Sequence, residues 1–141
     1  MKTFPSEMRT FKDPLTGHTV HQLTTTRNNY HLYFTENAFV RGKNEIVFLS
    51  DRASQVDGDP AGDPHYNVFS MDLKSGVMTQ LTDEDSPVAR ATKTPDGRLI
   101  VYNTKKQIKA LDTLSGKVTT LYTEEGNYNL APGYNLIGGI D

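Results

Sequence analysis

Residues 115–123 read Ser-Gly-Lys-Val-Thr-Thr-Leu-Tyr-Thr, and this stretch decides the fold because the chain repeats its pattern. Residues 75–82 read Ser-Gly-Val-Met-Thr-Gln-Leu-Thr, and residues 16–24 read Thr-Gly-His-Thr-Val-His-Gln-Leu-Thr. Each copy is a Ser/Thr-Gly turn followed by a short strand whose side chains alternate between two faces. A matching strand precedes the two later copies, at residues 68–73 and 108–114. These two copies therefore predict β-hairpins.

A second pair of strands precedes each hairpin. In the later unit, residues 89–94 and 98–102 flank Pro95-Asp96-Gly97, and in the earlier unit residues 35–39 and 45–49 flank a turn. Pro presets φ and Gly accepts a positive φ, so Pro-Asp-Gly between two apolar runs is a turn signal with a physical cause. Four short strands in about 40 residues is the spacing of a propeller blade. The sequence predicts an all-β protein built of four-stranded antiparallel meanders, the blades of a β-propeller.

The pattern divides the chain into parts of one propeller domain. We expect an N-terminal closing strand at about residues 16–24, blade one at about 30–82, blade two at about 88–123 and the start of a third blade at about 127–141. The propeller is expected to be incomplete in this chain, because a sheet edge left open in mid-blade favours aggregation. The strand at 16–24 is expected to complete the last blade of the propeller, so its partners should be missing here. The open edge at residues 135–140 is expected to promote self-association.

Alternation along the strands predicts which side chains are buried. We expect the inner strands to span residues 30–39 and 88–94. Successive side chains of a strand point to opposite faces, so one alternating set of each second strand faces the neighbouring blade. The predicted buried set is Ile46, Phe48, Leu99 and Val101.

Composition excludes several classes of partner. Fifteen Lys and Arg against seventeen Asp and Glu give a net charge of −2, and the chain has no basic stripe that would indicate nucleic-acid binding. The absence of Cys removes disulfides, thiolate metal sites and Cys nucleophiles. The N-terminal stretch has no apolar run that would mark a signal peptide or a membrane span. We therefore expect a cytoplasmic protein with no membrane partner.

Two segments carry a family resemblance. Residues 16–24, followed by residues 29–39, Asn-Tyr-His-Leu-Tyr-Phe-Thr-Glu-Asn-Ala-Phe, resemble the start of oligogalacturonate lyases, which are seven-bladed propellers of the polysaccharide lyase type. The Pro-Asp-Gly-Arg-Leu pattern at residues 95–99 is shared more loosely with TolB-like propellers.

The resemblance implies an enzyme that cleaves pectin-derived oligogalacturonides by β-elimination. In that family a general base removes the proton at C5, and a Mn²⁺ ion held by a His-rich ligand set helps to neutralise the carboxylate. The resemblance places the metal ligands and the catalytic His and Arg in later blades, so catalytic residues are unknown here and no bound metal is expected in this chain alone. The alternative is a non-catalytic TolB-like propeller that binds protein partners.

Three residues are candidates for binding an oligogalacturonide or another acidic sugar. Arg52 and Arg90 suit a polyanion because a guanidinium pairs with carboxylates through two parallel hydrogen bonds. His31 lies on the predicted inner strand of blade one and alternates there with Tyr33 and Thr35. We expect His31, Arg52 and Arg90 to converge on one end of the channel, although ordinary surface or packing roles stay open for each of them.

Two other groups of residues resemble metal sites. His18 and His21 are three apart on a predicted strand, so their side chains point to opposite faces and do not share an ion. Residues 57–63, Asp-Gly-Asp-Pro-Ala-Gly-Asp, have carboxylates spaced as in a calcium loop but lack the later ligands, which favours a solvated Gly/Pro-rich loop. The sequence predicts no metal site.

Overall fold

The computed structural model describes residues 1–54 and 65–125, and every helix or strand in these two ranges is a β-strand. In chain order the strands are β1 (Thr3–Phe4), β2 (Arg9–Lys12), β3 (Thr19–Gln22), β4 (Asn29–His31), β5 (Glu45–Ser50), β6 (Asn67–Asp72), β7 (Met78–Gln80), β8 (Val88–Lys93), β9 (Leu99–Thr104), β10 (Gln107–Asp112) and β11 (Val118–Thr123). Neither range contains a helix long and apolar enough to cross a membrane.

The strands of these ranges form antiparallel sheets that match the predicted meanders. One sheet has the order β1-β7-β6-β5-β4, another has the order β11-β10-β9-β8, and β2 pairs with β3 in a separate hairpin. Strands β4 to β7 and strands β8 to β11 each pair with the next strand along the chain, which is the connectivity of a propeller blade. The predicted all-β fold is confirmed, and the two meanders are called blade one (β4–β7) and blade two (β8–β11). The predicted start of a third blade lies outside the described residues.

The Ser-Gly turns that suggested the repeat share one hydrogen-bond pattern. In blade one, Oδ1 of Asp72 accepts bonds from the backbone N–H of Lys74 and of Ser75 and from the Ser75 hydroxyl, at 3.1, 2.6 and 2.8 Å. The following Gly76 has a φ of 72°, which glycine adopts without a steric penalty. Asp112 in blade two and Asp13 in the N-terminal hairpin accept the corresponding backbone bonds. One turn chemistry therefore closes all three of these hairpins.

The N-terminal segment, residues 1–24, forms more strand pairs than the sequence predicted. Strand β3 pairs with β2, from Arg9 opposite Gln22 to Lys12 opposite Thr19, so the expectation that residues 16–24 lack a partner was wrong. All four residues of β2 are exposed, so no buried alternation marked it as a strand. Strand β1 adds to the outer edge of blade one, where Thr3 lies opposite Thr79.

The N-terminal segment covers the face of blade one that points away from blade two, which we call the outer face. Phe48, Phe69, Met71 and Met78 form a buried cluster on that face. Phe4, Met8, Leu23 and other partly buried residues pack against the cluster. Phe48 is thus buried as predicted, and Ile46 partly so, but both lie under the N-terminal segment and not between the blades.

The core between the two blades uses the other set of alternating side chains. Val47 and Leu49 of β5 pack with Ile100 and Tyr102 of β9, and all four are buried. Leu99 is 41% exposed and Val101 is only half-buried, so the burial predicted for these two was wrong. Both faces of β9 carry apolar side chains, and alternation alone does not say which face meets blade one.

The inner strand of blade one is interrupted. β4 ends at His31, opposite Phe48, and pairing with β5 resumes only at an isolated bridge between Phe39 and Ile46. Residues 32–38 form an excursion between these two points, with Leu32 buried at its start. The predicted strand at residues 30–39 is therefore much shorter than expected, whereas β8 in blade two nearly matches its predicted range of 88–94. The excursion shapes a depression on each side of it.

Candidate functional site

An open cleft of about 420 Å³ lies between the inner strands of the two blades. It is lined by the end of β4, the first residues of the excursion, the start of β8 and parts of blade one behind them. The lining residues are Tyr30, His31, Leu32, Tyr33, Phe34, Leu49, Tyr66, Ala89, Arg90 and Ala91. We call this feature the aromatic cleft. Its volume is within the range of pockets that hold small ligands.

Four aromatic side chains line the cleft and make its surface largely apolar. Tyr30 and Tyr66 meet edge to face, with ring centroids 5.4 Å apart, and Tyr33 and Phe34 lie side by side at 4.4 Å. Tyr30 is 60% exposed, Tyr33 45% and Phe34 76%. Neighbouring exposed aromatic residues are unusual on a soluble protein and mark interaction sites more often than single exposed apolar residues do. They form an apolar surface that also carries the hydroxyl groups of three Tyr residues.

The Tyr66 hydroxyl keeps its proton over the physiological pH range. Burial, followed by the nearby Tyr30 and Asp51, raises the pKa of Tyr66 above its ordinary value of 10. A protonated phenol both donates and accepts a hydrogen bond. Tyr66 therefore offers the cleft a neutral polar group.

Arg90 supplies the positive charge of the cleft. Its guanidinium carbon lies 4.6 Å from the centroid of the Tyr33 ring, within the distance of a cation–π contact. Val88 pairs with Thr104 and Arg90 with Asn103, so Ala89 is an extra residue at a β-bulge. Bulges redirect the side chains beside them. This local irregularity explains how Arg90 comes to line the cleft at the start of an inner strand.

His31 joins Arg90 in the cleft, as the sequence indicated. It is the last residue of β4 and is exposed, and its Nδ1 contacts the carbonyl oxygen of Leu32. A carbonyl oxygen only accepts hydrogen bonds, so a hydrogen bond at this contact requires the proton to be on Nδ1. Substrate binding by His31 and Arg90 stays a prediction.

Arg52 does not line the aromatic cleft. Its side chain is only 3% exposed, and Nη1 forms an ion pair with Oε1 of Glu7 at 2.8 Å. Nη2 donates to Oδ1 of Asn29 at 2.8 Å and Nε donates to Oγ of Ser50 at 3.1 Å. The Phe48 ring lies 5.9 Å away. The expected convergence therefore holds for His31 and Arg90 only, and we infer a structural role for Arg52 because its donors are already used inside the fold.

The described residues do not fit a manganese site. Within residues 1–54 and 65–125, no three His, Cys, Asp or Glu side chains are grouped so that they could hold a metal ion. The stretch at 57–63 that resembles a calcium loop lies outside the described residues. A metal-dependent step cannot be assigned to the residues of the aromatic cleft.

Most of the aromatic surface was not predicted from the sequence. His31 and Tyr33 were expected on one face of a long strand, but the strand ends at His31. Tyr66 comes from a different part of blade one and shows no local signal. The density of aromatic residues at 30–34 was the available indication, since three of these five residues are Tyr or Phe.

Comparison with known proteins supports the fold assignment. No family model and no curated protein matches the chain. Among solved structures, an oligogalacturonate lyase in complex with manganese superposes with a TM-score of 0.72 at 22% identity, over 89% of this chain and 31% of that one. An oligogalacturonate lyase from Vibrio parahaemolyticus gives a TM-score of 0.69 at 19% identity, over 88% of this chain and 31% of that one. The chain thus has the fold of part of an oligogalacturonate lyase propeller, and it spans less than a third of the length of these two structures.

Proposed function

We propose that this chain provides part of the substrate-binding surface of an enzyme that cleaves oligogalacturonides by β-elimination. The observation that carries the proposal is the aromatic cleft, which places exposed rings and the Arg90 guanidinium between the first two blades. The fold likeness to two oligogalacturonate lyases supports the same substrate class.

The chemistry of the cleft suits an acidic sugar. A galacturonate unit has a ring with apolar C–H faces, hydroxyl groups around its edge and one carboxylate. Exposed Tyr and Phe rings bury such faces and offer hydroxyl partners at their rims. Arg90 complements the carboxylate through charge-assisted hydrogen bonds, which are about twice as strong as neutral ones. The Tyr33 ring beneath Arg90 restricts the guanidinium before the ligand arrives, which reduces the entropy lost on binding.

Within the elimination reaction, this surface would act on the carboxylate. Removal of the C5 proton by the base places negative charge on the adjacent carboxylate. The C4–C5 double bond then forms as the C4–O4 bond breaks, and the leaving O4 takes up a proton. A cation fixed beside that carboxylate stabilises the developing charge and makes the proton easier to remove. We assign this part to Arg90, and we assign orientation of the sugar ring to Tyr30 and Tyr33. The general base is expected in a part of the enzyme that this chain does not supply.

Binding of trigalacturonate to the 141-residue chain tests the proposal. Backbone amide shifts of a ¹⁵N-labelled sample should change at residues 30–34 and 89–91 during the titration. Arg90→Gln should weaken binding about tenfold, because a hydrogen bond to a charged group contributes about 1.5–3 kcal/mol. Arg9→Gln removes the same charge from the exposed strand β2 and should leave the affinity unchanged. Equal affinities for the two variants would exclude Arg90 as a carboxylate contact, and no binding at all would favour a propeller with another kind of partner.

A further inference from the structure

A second depression lies on the other side of the excursion. It has a volume of about 400 Å³ and is lined by the end of the excursion and by the end of β8. Glu36, Asn37, Phe39, Arg41, Lys93 and Thr94 are among its lining residues, and we call it the Lys93 pocket. The aromatic cleft contacts the start of β8, whereas the Lys93 pocket contacts its end. Arg90 of the aromatic cleft and Lys93 of the second pocket are three residues apart on β8, which is roughly 10 Å at about 3.3 Å per residue.

Lys93, the last residue of β8, is buried, which is unusual for a lysine. It is only 6% exposed, and its Nζ donates to the carbonyl oxygen of Phe39 at 2.8 Å. Burial lowers the pKa of Lys93, and the charges of Glu36 and Asp96 offset this only in part. Among the residues that the structure describes, no carboxylate lies within ion-pair distance of Nζ. A buried ammonium group without a close counterion is stabilised by an anion that enters the pocket.

Arg41 adds a second positive charge to the same pocket. Its backbone N–H donates to the carbonyl oxygen of Pro95 at 2.8 Å, which ties the turn between the excursion and β5 to the turn after β8. The Arg41 side chain is exposed. Within the described ranges its guanidinium has no hydrogen bond or ion pair, so its donors are open to a ligand. Two cations lining one pocket are suited to a carboxylate.

The remaining lining residues argue against a simple inorganic anion. Oε2 of Glu36 accepts a hydrogen bond from the Thr92 hydroxyl at 2.8 Å, and the carboxylate keeps acceptor positions for other hydroxyl groups. Its negative charge disfavours a multiply charged ligand. Phe39 is 58% exposed and offers a ring face. Oδ1 of Asn37 accepts from the Phe39 N–H, so the amide nitrogen of Asn37 is left to donate. This set matches a ligand with one carboxylate, several hydroxyl groups and an apolar ring face.

We propose that the Lys93 pocket is a second sugar-acid site, which binds the carboxylate of a uronic acid through Arg41 and Lys93. Glu36 and Asn37 hold the hydroxyl groups, and Phe39 covers one face of the ring. The site is separate from the aromatic cleft and does not depend on any role of that cleft. Its size suits a single sugar unit and not a long oligosaccharide.

Titration of the ¹⁵N-labelled chain with D-galacturonate tests this proposal. Amide shifts should change at residues 35–41 and 93–94, and neutral galactose at the same concentration should produce much smaller changes. Shifts at 30–34 and 89–91 report the aromatic cleft independently, so failure of one site is distinguishable from failure of the other. Arg41→Gln should lower the affinity for galacturonate, measured from the amide shifts at residues 35–41, about tenfold. Because Arg41 is exposed, this variant is expected to fold.

Lys43→Gln is the matched control, since it removes a positive charge two positions away from Arg41 at a residue that does not line the pocket. It should leave galacturonate binding unchanged. Inorganic phosphate serves as a second probe. Three results would overturn the proposal: no galacturonate-dependent shift at 35–41, equal effects of Arg41→Gln and Lys43→Gln, or tighter binding of phosphate than of galacturonate.

Discussion

Arg52 and Glu7, separated by 45 positions in the chain, form an ion pair with Nη1 and Oε1 2.8 Å apart under the N-terminal segment of the protein. The carboxylate of Glu7 also accepts bonds from the backbone N–H groups of Thr25 and Thr26 and from the Thr26 hydroxyl. This single side chain therefore joins the N-terminal segment, the linker before β4 and the end of β5. The pair fixes the cover over the outer face of blade one.

Replacement of Glu7 by Ala should lower the free energy of unfolding by about 3 kcal/mol. The Arg52 guanidinium would stay buried without its counterion, and breaking a buried pair costs about 3–5 kcal/mol. We expect the lower end because the Glu7 side chain is 17% exposed. Urea denaturation measures the change. Glu45→Ala removes the partner of Lys43 in a pair with atoms 4.0 Å apart and should cost much less. Similar losses for both variants would show that Glu7 does not anchor the segment.

The Glu7 carboxyl group should also make the stability of the fold depend on pH. Burial alone would raise the pKa of Glu7, but hydrogen bonds from Thr26, Thr25 and Arg52 outweigh it and lower the pKa from 4.5 to about 2. Because the pKa is depressed in the folded state, the ionised carboxylate stabilises the protein fully above pH 4.5. This stabilisation is lost as the pH falls toward 2. Urea midpoints of the wild type and of Glu7→Gln should converge over that interval, and a constant difference between them would contradict the assignment.

Two glycines with the same backbone conformation should respond differently to Ala. Gly76 and Gly116 have φ values of 72° and 70° in equivalent turns. A Cβ at Gly76 would lie 2.1 Å from Oγ of Ser6 and 2.8 Å from Sδ of Met8, whereas a Cβ at Gly116 meets nothing within 4 Å. Gly116→Ala should cost about 1 kcal/mol, the penalty of a left-handed conformation. Gly76→Ala should cost clearly more because it also displaces the N-terminal segment. Thermal unfolding compares the stabilities of the two variants. Equal losses of stability would mean that Ser6 and Met8 move aside without an energetic penalty.

The 141-residue chain alone should not cleave oligogalacturonides, even with Mn²⁺ added. Elimination requires a base and a carboxylate-binding group held within about 0.5 Å of the working geometry. The chain spans less than a third of the lyase structures that it matches, and its described residues contain no group suited to a metal. Formation of an unsaturated uronate from digalacturonate measures the activity. Turnover that survives purification and disappears in His31→Ala would place an active site within this chain.

Local chemistry was sufficient to predict the meanders. The Ser-Gly turns are determined by nearby residues. The carboxylates of Asp72 and Asp112 accept hydrogen bonds from the backbone N–H groups two and three positions later, and the glycine follows immediately. These interactions act within five residues and are visible in a single sequence. The repeat of such turns fixed the strand order of both blades.

Features that depend on distant residues could not be predicted in this way. The role of Arg52 is set by Glu7, whose position gives no local sign of the contact. Burial of Ile100 in place of Leu99 depends on which face of β9 meets blade one, and both faces are apolar. The early end of β4 at His31 reflects the excursion, whose buried Leu32 packs into the core between the blades. Each of these outcomes is decided by packing between strands far apart in sequence.

The position of β1 also sets an order of events during synthesis. Thr3 emerges from the ribosome long before its partner Thr79, and Lys2 accepts its bond from the Gln80 N–H. Closing so long a loop is entropically costly until blade one exists to receive the strand. Strand β1 is therefore incorporated only after β7 has been translated, and Phe48 and Phe69 stay without the cover of Phe4 until then. This interval is when binding by a chaperone would protect the protein most.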